Sequence, residues 1–308
     1  MLINKIKYRL KRTFRFTCYD RIRLFEFDKQ RRVKRSFFEK AGIVFTRKNV
    51  IPFMDIDVTT ICNLRCKRCG KCTPYFEKKH NFSAQEIKEN LELLERHVDK
   101  IYYASIIGGE PFLNPELAQI IEIISQSKKI MNLELTTNGT VVPSDELLTA
   151  IKKSGLAVHI SRYPNLSEKL TNNRIRLEEK LKEYGIFYEY QFIEDWLDFG
   201  DIKKRSFKKI QLKNMFLNCP MNTCTVFNGK KLYRCGKASY ISQHSMEEDG
   251  QDIIKLDEIK SRRDMKKKLK KFFSCKYLPA CSYCEEFPQT IIAGGQIENQ
   301  VDYDYRYN

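Results

Sequence analysis

From about residue 49 to residue 192 this chain of 308 residues switches back and forth between two hydrophobic periods, and that alternation limits the folds open to it more than any other feature. Residues 54–61, 101–107, 131–140, 156–161 and 186–192 are apolar or β-branched stretches of strand character. Between them, residues 83–97, 115–128, 144–154 and 167–184 carry helical patterns. The first of these opens with Ser83 as N-cap and Glu86 three residues on, the shape of a capping box, and the third stops at Gly155, which suits a C-cap. Strand and helix repeated with short connections predict an α/β fold with a parallel sheet, and right-handed crossovers roll such a sheet toward a barrel. Ligands then bind at the C-terminal ends of the strands.

The first strand runs into Cys62-Asn63-Leu64-Arg65-Cys66-Lys67-Arg68-Cys69. Three thiolates on one short loop can hold three irons of a cubane cluster while leaving the fourth iron open to a ligand. A CxxC pair alone reads equally as zinc or as nothing. The second strand ends in Gly108-Gly109-Glu110-Pro111, and glycines there predict a backbone that must approach a ligand closely. The chain has 11 cysteines. No run of about 18 uncharged apolar residues exists, and Met1 is not followed by a signal-type segment, so the expected compartment is the cytoplasm. A reducing compartment makes these cysteines metal ligands rather than disulfides.

The cysteine triplet followed by Gly108 to Pro111 resembles the radical S-adenosylmethionine (radical SAM) superfamily, over roughly residues 50–195. The resemblance implies a partial (β/α)6 TIM-type barrel in which Cys62, Cys66 and Cys69 ligate a [4Fe–4S] cluster. Its open iron would chelate S-adenosylmethionine, and an electron would cleave that cofactor to a 5'-deoxyadenosyl radical. Gly108, Gly109, Glu110 and Pro111 would meet the methionine amino group. Thr137, Asn138 and Ser161, at the ends of the third and fourth strands, would supply polar groups to the ribose or carboxylate; Arg162 or Arg174 could pair with that carboxylate or simply be solvated. The family's aromatic residue before the third cysteine is here Arg68, whose guanidinium plane can also stack on a ring. Cys72 stands outside the pattern and reads as a bystander. Trp196 reads as a core anchor, with the mouth of a substrate site as the other role.

Beyond about residue 215 the alternation stops and cysteines return. Cys219 and Cys224 precede a β-hairpin that turns at Asn228-Gly229 and ends at Cys235. A basic, helix-like run at 255–273 leads to Cys275, Cys281 and Cys284. This layout resembles the SPASM/Twitch extensions of radical SAM enzymes and implies a second [4Fe–4S] cluster, with a zinc ribbon as the alternative. The preferred ligands are Cys219 or Cys224 together with Cys235, Cys281 and Cys284. The expected division is a basic extension over 1–48, the partial barrel over 49–215 and a small Twitch-like domain over 216–308.

Residues 1–50 carry +12 of the whole chain's +17. Within them Ile3, Ile6, Leu10, Phe14, Cys18, Ile22 and Phe25 form an amphipathic helical face. That face either packs on the barrel or lies on an anionic membrane surface; no nucleic-acid-binding signature appears. The resemblance implies an enzyme that abstracts a hydrogen atom from a polar substrate, here expected to be carbohydrate-like and dehydrogenated. The alternatives are a peptide-modifying maturase or epimerase, and a non-catalytic iron–sulfur or zinc-stabilised scaffold. A reductant such as flavodoxin or ferredoxin is the implied protein partner.

Overall fold

The computed structural model describes residues 48–164, 166–192, 195–244, 252–292 and 294. The amphipathic face from Ile3 to Phe25 lies outside the described residues. Four strand–helix units follow one another: β1 (Val50–Asp57) and α1 (Ala84–Glu95), β2 (Lys100–Ile107) and α2 (Leu117–Ser125), β3 (Leu133–Thr137) and α3 (Asp145–Ser154), β4 (Ala157–Arg162) and α4 (Glu168–Glu183). A fifth strand, β5 (Tyr188–Phe192), closes the series. All neighbouring pairs among these strands are parallel, as the alternation predicts. The capping box forms at Ser83 and Glu86, and Gly155 ends α3 with a left-handed φ of 67°. The first strand begins and ends four residues earlier than its apolar pattern suggests. Past Asp57 the backbone leaves the ladder to bond across loops, with the Thr60 N–H donating to the His80 carbonyl at 2.8 Å.

The sheet has two unlike faces. Met54, Ile56, Val58, Ile106, Leu135, Val158 and Ile160 point into the main core, where they meet Leu91 and Leu94 of α1, Ile120 and Ile124 of α2, Leu148 and Ile151 of α3, and Leu177 and Leu181 of α4. The register puts Asp55 beside Ser105, Ser105 beside Glu134, Thr136 beside His159, and His159 beside Glu189, so the opposite face is polar. It is nevertheless closed to solvent over Asp55, Asp57, Ser105, Glu134, His159 and Ser161.

Among the described residues no sixth strand pairs with β5. Residues Asp195–Asp198 form β6, which pairs antiparallel with β10 (Gln289–Ile292) in a separate two-stranded sheet. After α5 (Lys209–Asn218), the hairpin of β7 (Val226–Asn228) and β8 (Lys231–Tyr233) turns where Asn228-Gly229 predicts. It does not stand apart: β7 runs parallel to β1, on the side away from β2, and β9 (Ile253–Lys255) extends β8, giving the order β5-β4-β3-β2-β1-β7-β8-β9. The basic run expected as one helix from residue 255 begins as that strand, because Ile253 and Ile254 pair with Tyr233 and Leu232. The helix α7 (Arg262–Ser274) starts only after Ser261, which accepts from the Asp264 N–H at 3.1 Å. Between the hairpin and β9 lies α6 (Gly236–His244). A second, smaller core joins Cys72, Tyr75 and Phe76 to Tyr240 and Ile241 of α6 and to Leu278. Among the described residues no helix is long and apolar enough to cross a membrane.

Candidate active site

The loop carrying Cys62, Cys66 and Cys69 leaves β1 and turns tightly, with the Cys69 N–H donating to the Cys66 carbonyl at 3.3 Å and the Cys72 N–H to the Cys69 carbonyl at 2.9 Å. Arg68 and Cys72 take left-handed φ values of 61° and 55°, a conformation that side-chain-bearing residues hold only when their surroundings impose it. Two ion pairs tie this stretch to the strands. Arg68 Nε lies 3.2 Å from Asp198 Oδ1 of β6, and Lys71 Nζ lies 2.7 Å from Asp57 Oδ1 and 3.6 Å from Asp55 Oδ2 on β1. The position that would carry an aromatic ring beside an adenine thus holds a guanidinium paired to a carboxylate.

The two glycines after β2 are explained by the protein itself. A Cβ on Gly108 would stand 2.2 Å from the Thr59 carbonyl oxygen, and one on Gly109 would stand 2.1 Å from the Ile61 carbonyl oxygen and 3.1 Å from Cys62 Cβ. The close approach that the sequence predicts toward a ligand is therefore an approach to the cysteine loop. It is sealed by the Gly109 and Glu110 N–H groups, which donate to the Thr59 and Ile61 carbonyls, each at 2.8 Å. Glu110 is fully buried, and Oε1 accepts from Thr137 Oγ1 at 2.7 Å and the Phe112 N–H at 3.1 Å while Oε2 accepts from the Asn138 N–H at 2.7 Å. Burial pushes its carboxyl up to about 7 against those three donors, which favour the anion. Asn138 in turn donates to Asn63 Oδ1 at 2.9 Å and approaches Cys62 Sγ at 3.8 Å. Glu110, Thr137 and Asn138 thus clamp the end of β3 to the cysteine loop.

Ser161 lies at the end of β4, hydrogen-bonded to the Tyr163 hydroxyl. Burial raises the Tyr163 phenol far above its ordinary range, and the nearby thiols of Cys66, Cys69 and Cys62 push in the same direction. Its ring stands edge-on to Trp196 at 5.7 Å. Buried Arg174 donates to the Tyr163 carbonyl at 3.4 Å, so this arginine is a prop of the site rather than a solvated surface charge. Below them on the polar face, His159 Nε2 lies 2.7 Å from Glu134 Oε2 and Nδ1 lies 3.3 Å from Glu189 Oε1. Neither Tyr163, Lys71 nor the His159 group was singled out from the sequence; for strand residues, the signal available was a run of polar side chains at alternate positions on one sheet face.

The C-terminal cysteines come back toward the first loop. Burial lifts the Cys235 thiol well above its ordinary range, and the neighbouring sulfurs of Cys284, Cys281 and Cys219 add to the effect. Cys224 lies in the neighbourhood of Lys71, and Cys275 Sγ donates to the Phe272 carbonyl at 3.2 Å. Cys219, Cys235 and Cys284 share with Cys69 and Cys72 a pocket lined also by Tyr75, Phe199, Met221 and Lys237. Cys72 is buried there, with its thiol pushed up to about 12 by desolvation. Buried Arg234 fastens the segment bearing Cys219 and Cys224, donating to the Asn222 carbonyl and, at 3.5 Å, to the Cys224 carbonyl, with its guanidinium over the rings of Phe272 and Phe273. Among the described residues no three His, Cys, Asp or Glu side chains converge on a point fit for a single metal ion. A cubane cluster asks for wider spacing, because each iron takes one thiolate, and two all-sulfur sets suit iron–sulfur chemistry.

Residues 56–187 match the Radical SAM superfamily. Among curated proteins, the chain is similar to the GTP 3',8-cyclase of Aquifex aeolicus, 35% identical over 133 residues that cover 40% of each protein. It is also similar to the 7,8-dihydro-6-hydroxymethylpterin dimethyltransferase of Methanocaldococcus jannaschii, 27% identical over 128 residues, 42% of this chain and 25% of that one. Solved structures that resemble it include BtrN in complex with AdoMet and 2-DOIA, at 14% identity and a TM-score of 0.44 over 83% of this chain and 99% of that chain. Another is SuiB of Streptococcus suis bound to precursor peptide SuiA, at 17% identity and a TM-score of 0.38 over 52% of this chain and 36% of that chain. The chain spans less than half the length of these curated relatives.

Proposed function

Residues 56–187 form a radical SAM domain, and from that premise we propose that the protein abstracts a hydrogen atom from a polar, carbohydrate-like substrate and carries it on to dehydrogenation. Cys62, Cys66 and Cys69 would hold a [4Fe–4S] cluster, which with S-adenosylmethionine supplies the 5'-deoxyadenosyl radical. The observation that carries the reading is the fastening of that cysteine loop to Gly108–Pro111 and the end of β3, which puts three thiols and the proposed cofactor-binding segment on one rigid edge. The N–H groups of Gly109 and Glu110 are already engaged, so this segment would offer carbonyl oxygens, which suit the ammonium group of methionine. Thr137 and Asn138 would act by holding the edge, since their side chains serve Glu110 and Asn63. Ser161, with Tyr163, would face the cofactor.

The substrate reading rests on the buried polar face of the sheet. Asp55, Asp57, Ser105, Glu134 and Ser161 are buried there, the carboxylates already paired with Lys71 and His159, and a face of carboxylates and hydroxyls of this kind would match the hydroxyls of a sugar or cyclitol. The outcome reading rests on Cys219, Cys235, Cys281 and Cys284, which would hold a second [4Fe–4S] cluster able to take up an electron. A substrate radical that gives up an electron and a proton becomes the oxidised product.

The test is anaerobic reconstitution followed by reduction in the presence of S-adenosylmethionine. The intact protein is expected to release 5'-deoxyadenosine, and replacing Cys62, Cys66 and Cys69 together by Ala is expected to abolish the release while leaving iron bound at the C-terminal cysteines. Release by the triple variant sinks the radical reading. Screening polyols, amino sugars and short peptides should give a product lighter by two hydrogens from a sugar-like compound. Turnover of a peptide instead, or incorporation of solvent deuterium without loss of hydrogens, would turn the assignment to a maturase or an epimerase.

A further inference from the structure

The chain's positive charge is concentrated in two segments far apart in sequence. Residues 1–50 carry +12 and residues 260–271, with eight Lys and Arg against Asp264 alone, carry +7 of the total of +17, so everything else together is slightly acidic, at −2. The fold brings the two segments to one place. Asn49, immediately before β1, donates through Nδ2 to the Arg262 carbonyl at 2.8 Å. Its N–H donates to Asp99 Oδ2 at 2.6 Å, and the other oxygen of that carboxylate pairs with the Arg262 guanidinium. The basic extension therefore joins the described structure at the first turn of α7.

That helix is sharply sided. Met265, Leu269, Phe272 and Phe273 are buried in the main core, whereas Arg263, Lys267, Lys270 and Lys271, spaced to share one face, are exposed. The carboxylates nearby are engaged elsewhere: Asp264 Oδ2 accepts from the Lys260 N–H at 3.2 Å, Asp99 holds Arg262, and Glu258 lies 3.7 Å from Lys255. Among the described residues the four outward cations make no ion pair. Like charge excludes the basic extension itself as the cover of this face, since a segment of +12 laid over one of +7 would be repelled. A protein partner would need an apolar centre to its interface, and none of the large hydrophobic side chains exposed among the described residues lies on α7. Nucleic acid is gripped by arginine forks and aromatic platforms, but three of these four cations are lysines and both phenylalanines face the core.

We propose that the outward face of α7, with Arg263, Lys267, Lys270 and Lys271, docks on a membrane surface rich in anionic lipid, next to the point where the basic extension departs. Flexible lysines without a rigid counterpart suit a diffuse planar charge, to which each contributes separately. Lasting attachment to such a surface takes two signals, one polybasic and one apolar. The helix supplies the first. The second is written in the extension, where Ile3, Ile6, Leu10 and Phe14 recur among cations in the pattern of a segment that settles at a lipid interface. Asn49 and the first turn of α7 stand at one end of β1 and the cysteine loop leaves the other, about 25 Å away at roughly 3.3 Å per residue, so lipid held there leaves the radical site uncovered.

The test sediments the full-length protein with vesicles of equimolar phosphatidylcholine and phosphatidylglycerol, and with vesicles of phosphatidylcholine alone, over a range of salt concentrations. Binding to the mixed vesicles should exceed binding to the neutral ones and fall as salt rises. A cation near an anionic surface is worth about fivefold in affinity before screening, so Lys267→Gln/Lys270→Gln/Lys271→Gln should weaken binding about tenfold or more. The charge-keeping triple Lys267→Arg/Lys270→Arg/Lys271→Arg should bind as the unmodified protein does, and both variants should keep its thermal transition by circular dichroism. A glutamine variant that binds as tightly as the unmodified protein would assign any attachment to the extension alone and overturn the proposal. So would equal binding to neutral vesicles, absence of binding at low salt, loss of binding in the arginine variant, or tighter binding to duplex RNA or polyglutamate than to the mixed vesicles.

Discussion

Lys71 shows how much of this site rests on single buried charges. Burial favours the neutral amine, but Asp57 and then Asp55 outweigh it and hold the group above its ordinary range. Asn228 donates to the other Asp57 oxygen at 3.1 Å, so one lysine links the cysteine loop, β1 and the β7 hairpin. Substituting Lys71→Met would take the shared cation away from two interior carboxylates, Asp55 and Asp57. Breaking a buried pair in this way costs about 3–5 kcal/mol, and the urea midpoint of the metal-free protein is expected to drop accordingly. A midpoint within experimental error of the unmodified protein would show that water, not Lys71, satisfies those carboxylates. Nothing in the sequence around Lys71 sets it apart from the chain's many other cations, since its partners sit 14 and 16 positions earlier on a strand.

At the scale of the element, the segment Gly108–Pro111 and the cysteine loop form one unit. The need for glycine there was legible in the sequence, but the reason was not: the crowding comes from Thr59 and Ile61 carbonyls that only the parallel pairing of β1 with β2 brings alongside. In Gly109→Ala the new methyl group would meet the Ile61 carbonyl carbon and oxygen at 2.6 and 2.1 Å, and backbone atoms cannot yield as a flexible side chain can. Overpacking of this kind costs at least about 1–3 kcal/mol and should displace the loop. We expect the reconstituted variant to lose iron from the first cysteine set and keep it at the second, as read by iron analysis with and without the Cys62, Cys66 and Cys69 substitutions. Full iron loading in Gly109→Ala would contradict the coupling of the two segments.

For the whole molecule, the arrangement of the sheet decides what can be separated from what. The expected boundary between residues 215 and 216 falls just before strands that return to the main sheet beside β1. All eight residues of β1 are buried, and the Asp55 N–H donates to the Thr225 carbonyl at 2.8 Å. A chain ending at residue 215 would turn this buried apolar strand into an open edge, with the association that such edges invite. It is expected to aggregate or to lose its cooperative thermal transition by circular dichroism. A soluble fragment with a sharp transition would show that β1 tolerates exposure and that the two parts fold independently.

What the amino-acid sequence determined by itself are features written in local pattern. The alternation of strand and helix periods, the caps at Ser83 and Gly155, the hairpin at Asn228-Gly229 and the triplet Cys62, Cys66 and Cys69 all follow from neighbours within a few residues, where propensity and spacing act directly. Tertiary structure decided what depends on strands meeting across long stretches of chain. It alone put β7 beside β1 and left β6 with β10. It made Glu110 a clamp between the end of β3 and the cysteine loop, set Tyr163 against the thiols of that loop, and brought Cys219, Cys281 and Cys284 into the neighbourhood of Cys235. The physical reason is common to all of these: a buried charge or thiol takes its character from the groups that close around it, and those groups are remote in sequence.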